Sequence, residues 1–198
     1  MKIVQPDKAG IEEAVAALRN GEIVAYPTAS VYGLGVDPFN TAALENLFHI
    51  KARDASNPVL MIIGETGHLD PLVTTVSSAA QKCIDAFWPG QLSLLFPVND
   101  GVPELLVGER RKICVRYSAH PVASDLCRAF GGAITSTSAN KSYELPASSP
   151  ETLDMEGVSV CIDGGIADGT PSTIYDPDTG DVLREGAISR LDIVNKSF

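Results

Sequence analysis

A chain of 198 residues with 44% hydrophobic side chains can bury a substantial core and has the composition of a folded unit, not of a disordered tail. Its formal charge of −10, from 25 Asp and Glu against 15 Lys and Arg, excludes a uniformly basic nucleic-acid coat but leaves room for a local anion pocket. The longest apolar run, VLMII at 59–63, is far short of the ~18 residues of a membrane-spanning helix. The opening MKIVQPDKAGIEE brings charge too close behind its apolar residues for a secretory leader, and the C-terminus shows no lipid-anchor signal; a cytoplasmic protein is expected.

In chain order, Ile11, Ala14, Val15 and Leu18 recur on one face and predict a helix over 8–20, stopped by Gly21. EIVAYPT follows as a buried strand and delivers TASVYGLG to its C-terminal edge, where small residues and glycines allow a tight turn and close approach of a ligand. Asn40 or Thr41 caps the next helix, with Leu44, Leu47 and Phe48 on its apolar side. VLMII is a strand; Ala80, Cys83, Ile84 and Phe87 mark another helix, closed by Trp88–Pro89–Gly90.

QLSLLFPV and KICVRY read as strands, and His120–Pro121 opens a helix that Gly131–Gly132 stops. AITSTSAN is a strand running into a polar loop over 141–152, with a short helix start at Ser149–Pro150. VSVCID, STIYD and DVLRE supply late strands. Helices and strands mix without strict alternation, so the pattern predicts one α/β domain over 1–198 with a twisted sheet of mixed direction.

Several chemistries are absent from the pattern. There is no G-x-x-x-x-G-K-[ST] loop, Gly33–Leu34–Gly35 is too short for a dinucleotide fingerprint, and no G-x-S-x-G elbow occurs. Cys83, Cys114, Cys127 and Cys161 form no C-x-x-C pair and sit among apolar neighbours, which favours small buried thiols over a disulfide or zinc. The histidines at 49, 68 and 120 are scattered, and His120 reads as a structural turn residue. Neither zinc, haem nor a dinucleotide is expected.

The remaining polar residues carry two readings each. Lys51 and Arg53 close a helix, where cations complement the dipole; the DASNP turn and strand behind them also place both heads where they could bind phosphate or carboxylate. Thr28 and Ser30 are either a capped turn or oxygen ligands for an amino acid. Thr135–Ser136–Thr137–Ser138–Ala139–Asn140 is either a polar turn or a set of uncharged donors for an anion. Arg116, between apolar neighbours in CVRY, faces solvent or pairs in a cleft, and Arg184 raises the same choice. Arg110–Arg111–Lys112 reads as a solvated loop with weak attraction for RNA.

Taken together and in order, YPTASVYGLG at 26–35, KARDASNP at 51–58, WPGQLS at 88–93, VRYSAHP at 115–121, STSAN at 136–140, and STIYD with REG at 172–186 resemble the YrdC-like threonylcarbamoyl-AMP synthases, in their short form. The resemblance implies a twisted open mixed α/β sheet with flanking helices around a concave, positively lined cavity. It implies condensation of L-threonine, bicarbonate and ATP, with Mg²⁺, into threonylcarbamoyl-AMP and pyrophosphate. That product supplies the N6-threonylcarbamoyl group of adenosine 37 in tRNA through downstream transfer proteins. A monomer is implied, with weak RNA contact; an RNA-binding or ribosome-maturation factor of the same fold, or a paralogous enzyme for another small substrate, is the alternative.

Carried over residue by residue, the resemblance makes Lys51 and Arg53 catalytic and puts Arg53, Asn57, Ser138, Asn140 and Arg184 on ATP. Ser30, Arg116, Ser136 and Ser172 fall to threonine, with Arg116 on its carboxylate. The chain departs from the family pattern at Ala29 (usually acidic), Ser30 (Thr), Asp54 (Pro), Gln91 and Ser93 (Pro and Thr), Ser118 (Pro) and Tyr143 (Gly). An Asp54 turned inward would weaken attraction for ATP.

Overall fold

The computed structural model describes all residues except Tyr143, Asp168 and Phe198, and all side chains of the rest except that of Arg110. Three helices start on caps that are visible in the sequence. Asp7 accepts from the Gly10 N–H ahead of α1 (Lys8–Arg19), Asn40 from Ala43 ahead of α2 (Thr41–Ile50), and Ser77 from Ala80 ahead of α3 (Ser78–Phe87). α4 (Pro121–Phe130) instead has Pro at its first position and ends on Gly131 at φ 89°, a conformation that favours glycine. A C-terminal α5 (Arg190–Ser197) packs against α3.

The strands are β1 (Lys2–Val4), β2 (Ile23–Pro27), β3 (Tyr32–Gly35), β4 (Leu60–Ile63), β5 (Leu92–Pro97), β6 (Lys112–Tyr117), β7 (Ile134–Ser138), β8 (Val158–Ile162), β9 (Thr173–Asp176) and β10 (Asp181–Arg184). They form one ten-stranded sheet in the order β1-β8-β2-β3-β7-β4-β6-β5-β9-β10. β8 runs parallel to β1 and β2, β4 to β6, and β5 to β9; the other neighbours are antiparallel. The mixed α/β sheet expected from the pattern, in the open form that the resemblance implies, is the architecture found.

Two apolar layers cover the two faces. Ile23, Ala25, Met61, Ile63, Ile113 and Val115 point to the side that α2 and α3 cover with Leu44, Leu47, Cys83 and Phe87. The alternate residues Val24, Tyr26, Ile62 and Ile134 point to the side covered by α1 and α4 with Leu18, Leu126 and Cys127. Burial on both faces is why all five residues of β2 are buried.

Three elements lie outside the sequence reading. β1 is too short for a period, and of α5 only Ile193 and Ser197 are buried, so neither shows a clear apolar face. The third is a correction. The YGLG stretch expected to turn is the antiparallel strand β3, paired with β2 and β7. Its glycines serve close packing: a Cβ on Gly35 would lie 2.8 Å from Tyr26 Cε1 and 3.0 Å from the Thr135 carbonyl oxygen.

Candidate functional site

α1 and α4 cover only part of their face of the sheet. Register carries that face onward from Ile62 to Arg116, from Cys114 to Leu95 and from Ser93 to Ile174, beyond the helices. A cavity of about 530 Å³ occupies this uncovered region. Its walls come from Thr28 and Ser30 of the β2–β3 loop, Arg53, Asn57 and Pro58 ahead of β4, Cys114 and Arg116 of β6, and Ser136, Thr137, Ser138 and Asn140 of β7 and its exit. Pro146, Pro171, Ser172, Ile174 and Arg184 complete it.

Three arginines, Arg53, Arg116 and Arg184, line the cavity, and no carboxylate does among the described lining residues. In a chain of net charge −10 this is a pronounced local reversal of sign. Arg116 is 4% exposed, and its Nε has no hydrogen-bond partner. Burial, with a smaller contribution from Arg184, lowers the pKa of this guanidinium. A buried cation without an acid calls for an anion from outside the chain. The sequence left open whether Arg116 faces solvent or a cleft; it faces the cleft.

Around Arg116 stand hydroxyls. Ser30 Oγ lies 3.3 Å from Thr28 Oγ1, and Thr28 Oγ1 donates to the Val31 carbonyl at 2.7 Å. Across the cavity Ser172 Oγ lies 2.9 Å from Ser93 Oγ, and the Arg184 guanidinium donates to Ser172 through Nη2 to the carbonyl at 2.8 Å and to Oγ at 3.2 Å. Ser136 is a buried wall residue.

Lys51 and Arg53 leave the end of α2 in different directions because Ala52 between them sits at φ 47°. Arg53 remains on the cavity wall, donating through Nε to the Asn57 carbonyl at 2.7 Å and through Nη2 to the Pro58 carbonyl at 2.9 Å. Its Nη1 is 3.5 Å from Thr137 Oγ1. Lys51, expected as a catalytic residue beside Arg53, is not among the residues that line the cavity. It is 1% exposed and lies behind the wall, where Nζ donates to the Ser138 carbonyl at 2.5 Å, the Asn140 carbonyl at 2.6 Å and Asn140 Oδ1 at 3.2 Å. Asn140 Oδ1 also accepts from Ser138 Oγ at 2.5 Å, and Asn140 Nδ2 donates to the Glu144 carbonyl at 2.6 Å. Desolvation, followed by the charge of Arg53, pulls the Lys51 pKa down to about 8. Lys51 thus braces the Ser138–Asn140 loop through three acceptors.

A second cavity of about 350 Å³ shares Asn57, Pro58, Cys114 and Ile174 with the first, so the two are lobes of one depression. Its character differs. Leu95, Ile174 and Leu183 supply apolar wall, and Glu109, Asp176 and Asp181 stand beside Lys112. Lys112 Nζ pairs with Asp176 at 2.6 Å and Asp178 at 2.9 Å, while Arg111 pairs with Glu104 at 2.6 Å. Two cations of the expected solvated run are thus committed to carboxylates; the side chain of Arg110 lies outside those described.

Of the departures from the family pattern, Asp54 is exposed, accepts from the Ser56 N–H at 2.8 Å and turns away from the cavity. Ala29 is half-buried behind the wall, and Tyr143 lies outside the described residues. Sequence reading missed Cys114, although alternation from Arg116 puts it on the same face. It also missed Ser93, whose role depends on the β5–β9 register. His120, expected as a turn residue, is the N-cap residue of α4 and stands outside both cavities, its buried Nδ1 unpartnered.

The fold and site are those of an open α/β sheet whose cavity is lined by three arginines and, among the described lining residues, no carboxylate. The sequence profile described as "Telomere recombination" (Sua5_yciO_yrdC) matches residues 16–186. The threonylcarbamoyl-AMP synthase of Chromohalobacter salexigens is 40% identical over 177 residues, covering 88% of this chain and 96% of that one. The threonylcarbamoyl-AMP synthase of Methylococcus capsulatus is 45% identical over 140 residues, 71% of this chain and 75% of that one. Among solved structures, P. abyssi Sua5 complexed with L-threonine superposes with a TM-score of 0.89 at 28% identity, over 99% of this chain. The chain spans only 60% of the length of that protein. E. coli YciO superposes with a TM-score of 0.82 at 26% identity, over 94% of this chain and 95% of its own. This chain belongs to the Sua5/YciO/YrdC family.

Proposed function

We propose that the chain is an L-threonylcarbamoyladenylate synthase, which joins L-threonine, bicarbonate and ATP into threonylcarbamoyl-AMP and pyrophosphate. The observation that carries this reading is the buried Arg116 with its free Nε, inside a cavity of three arginines and no described carboxylate. Arg116 takes the carboxylate of threonine, and Ser30, Ser136 and Ser172 take its hydroxyl and amine. Arg53, Asn57, Ser138, Asn140 and Arg184 take the nucleotide, its phosphates in the arginine lobe and its apolar base toward the second lobe.

The electrostatics favour the first step. Three nearby guanidiniums and no described acid destabilise a bound ammonium, so the amine is held neutral and nucleophilic. Its lone pair attacks the carbon of bicarbonate, water leaves, and a carbamate forms. A carbamate oxygen then attacks the α-phosphorus of ATP; the bond to the bridging oxygen breaks and its electron pair leaves on pyrophosphate. Arg53 and Arg184 stabilise the charge that accumulates, and alignment of the reactants in one enclosed site removes much of the entropic barrier. No covalent enzyme intermediate is needed.

The described lining residues do not form a divalent-ion site, since no carboxylate is among them, and the described residues contain no cluster of three metal-binding side chains. We therefore place Mg²⁺ with the phosphates as part of the nucleotide substrate and derive no step through it. We further propose that 1–198 acts as one cytoplasmic, monomeric domain whose labile product passes to tRNA threonylcarbamoyl-transfer proteins. The pairing of Arg111 and Lys112 with acids argues against RNA binding as the primary role.

The test is pyrophosphate release by purified protein with ATP, Mg²⁺ and bicarbonate. Release that depends on both L-threonine and bicarbonate, with a threonylcarbamoyl-AMP mass, is expected. Folded protein that binds ATP but releases no pyrophosphate in response to threonine overturns the assignment.

A further inference from the structure

The amino-acid end of the cavity is bounded by two walls that are far apart in sequence. One is the loop carrying Thr28 and Ser30; the other is the segment carrying Pro171 and Ser172. Neither wall is regular structure, so their separation is not fixed by the sheet ladder. A backbone bond from the Gly169 N–H to the Ser30 carbonyl, 2.9 Å long, ties them at one point. A Cβ on Gly169 would lie 2.0 Å from the Ala29 carbonyl oxygen, so the strands of chain are in contact there.

The side chain of Gln91 makes a second tie. It stands behind the walls and lines neither lobe. Its amide nitrogen points to the Ala29 carbonyl oxygen at 3.3 Å and to the Thr170 carbonyl oxygen at 3.4 Å. Ala29 lies between the two hydroxyl residues of the first wall, and Thr170 directly precedes the second. An amide NH₂ has two hydrogens, one for each carbonyl. The Gln91 backbone is itself anchored, its carbonyl accepting from the Thr173 N–H at 3.1 Å, one residue beyond Ser172. Ser93, two residues on and buried, meets Ser172 Oγ at 2.9 Å. The turn leading into β5 thus holds the second wall from below and reaches across to the first.

We propose that Gln91 is a positioning residue that sets the width of the amino-acid subsite, and so the selectivity of this chain for its amino-acid substrate. The proposal rests on the threonylcarbamoyladenylate reading of the same cavity. Gln91 touches no substrate; it acts through Ser30 and Ser172. Both of its bonds are long, the one to Ala29 part-buried and the one to Thr170 exposed, so the loss is that of modest hydrogen bonds. The nucleotide end is held chiefly by Arg53 and the Lys51-bound loop; of its residues only Arg184 bonds the second wall, at Ser172.

The experiment compares the intact protein with Gln91→Leu and Gln91→Glu. Leucine keeps the bulk and removes both donors, while glutamate keeps the shape and sets a carboxylate against two carbonyls. Steady-state pyrophosphate release gives KM for L-threonine, KM for ATP, kcat, and the ratio of kcat/KM for L-threonine over L-serine. Calorimetry gives threonine affinity directly, and thermal unfolding confirms folding; should the glutamate variant not fold, the leucine variant carries the test.

The expected result for Gln91→Leu is a rise in threonine KM and Kd of roughly five- to tenfold. KM for ATP and kcat should stay within about twofold, and threonine-over-serine preference should fall. An unchanged threonine KM, or equal rises for threonine and ATP, overturns the proposal. If the unsubstituted protein neither binds threonine nor releases pyrophosphate, it is the reaction assignment that fails, which the wild-type arm alone reveals.

Discussion

β6 carries two cations on one face of the sheet, Lys112 at its start and Arg116 four residues on, about 13 Å away along the strand. They are treated in opposite ways. Lys112 is 11% exposed and meets the carboxylates of Asp176 and Asp178. Burial works against its charge, yet the bonds to those acids outweigh it and raise its pKa. Arg116 is buried more deeply, 4% exposed, with no acid beside it among the described residues, and burial lowers its pKa. A cation matched within the chain holds the fold together. One left unmatched in a cavity is a site waiting for an anion, and its desolvation is a standing cost that a ligand offsets.

The comparison breaks if the two residues respond alike to removal of their charge. Arg116→Leu is expected to lower kcat/KM for threonine by at least about 10³-fold, because the carboxylate loses a charge-assisted partner in a dry site. Its Tm should be no lower than that of the parent, since an unpaired buried charge has been removed. Activity assays and thermal unfolding of the same preparation decide it; a large fall in Tm would make Arg116 a structural residue.

Lys112→Met is expected to do the reverse. It strands Asp176, 1% exposed, without its cation, and stability should fall by about 3 kcal/mol. Denaturant unfolding measures this, and at temperatures where the variant stays folded its threonine KM should be close to that of the parent. Loss of threonine binding without loss of stability would erase the distinction between the two ends of β6.

Much of this contrast was legible in the sequence. The KICVRY pattern put a charge at a position that alternation assigns to a sheet face, and the helix caps at Asp7, Asn40 and Ser77 all lie in the chain at the starts of apolar periodicity. What was illegible depended on contacts remote in sequence. Lys112, at the end of the 110–112 run, reads as solvated until β5–β9 pairing brings Asp176 beside it, whereas Arg111 is indeed exposed. Lys51 reads as a partner of Arg53 until the positive φ of Ala52 separates them. Gly33 and Gly35 read as a turn because their real neighbours, Tyr26 and β7, come from elsewhere in the chain.

Lys51 offers a third, smaller effect that sharpens the same division between binding groups and the groups behind them. Its three acceptors match the three hydrogens of an ammonium; the neutral amine has only two, and its lone pair would face a carbonyl. With a pKa of about 8, the loop that presents Ser138 and Asn140 should loosen as pH rises through that value. kcat/KM for ATP is therefore expected to fall above about pH 8, and Lys51→Met to be about 10²-fold less active with the high-pH limb gone. Stability should not follow activity. The folded-state pKa lies below the unfolded value, so between about 8 and about 10.4 the unfolded chain binds more protons and this group makes stability rise with pH. A fall in Tm that tracks the activity limb would show that global unfolding causes it.

The smallest effect tests what divides Lys51 from Arg53. Ala52 is held at φ 47°, which costs a residue with a Cβ about 1 kcal/mol relative to glycine, and its N–H still bonds the His49 carbonyl at 3.0 Å. Ala52→Gly relieves that strain but widens the choices of the unfolded chain, so the net gain is expected to be only about 0.5 kcal/mol, read as a slightly higher denaturant midpoint with unchanged slope. If the turn exists to send one cation into the wall and the other along it, activity should be unaltered, because glycine adopts the same turn. Ala52→Val should do the opposite on both counts, since a β-branched residue resists the left-handed region. It loses stability by more than the glycine variant gains, and it loses ATP affinity as Lys51 and Arg53 are pulled out of their separate positions. A valine variant as active and stable as the parent would mean that the conformation of Ala52 does not decide where the two cations go.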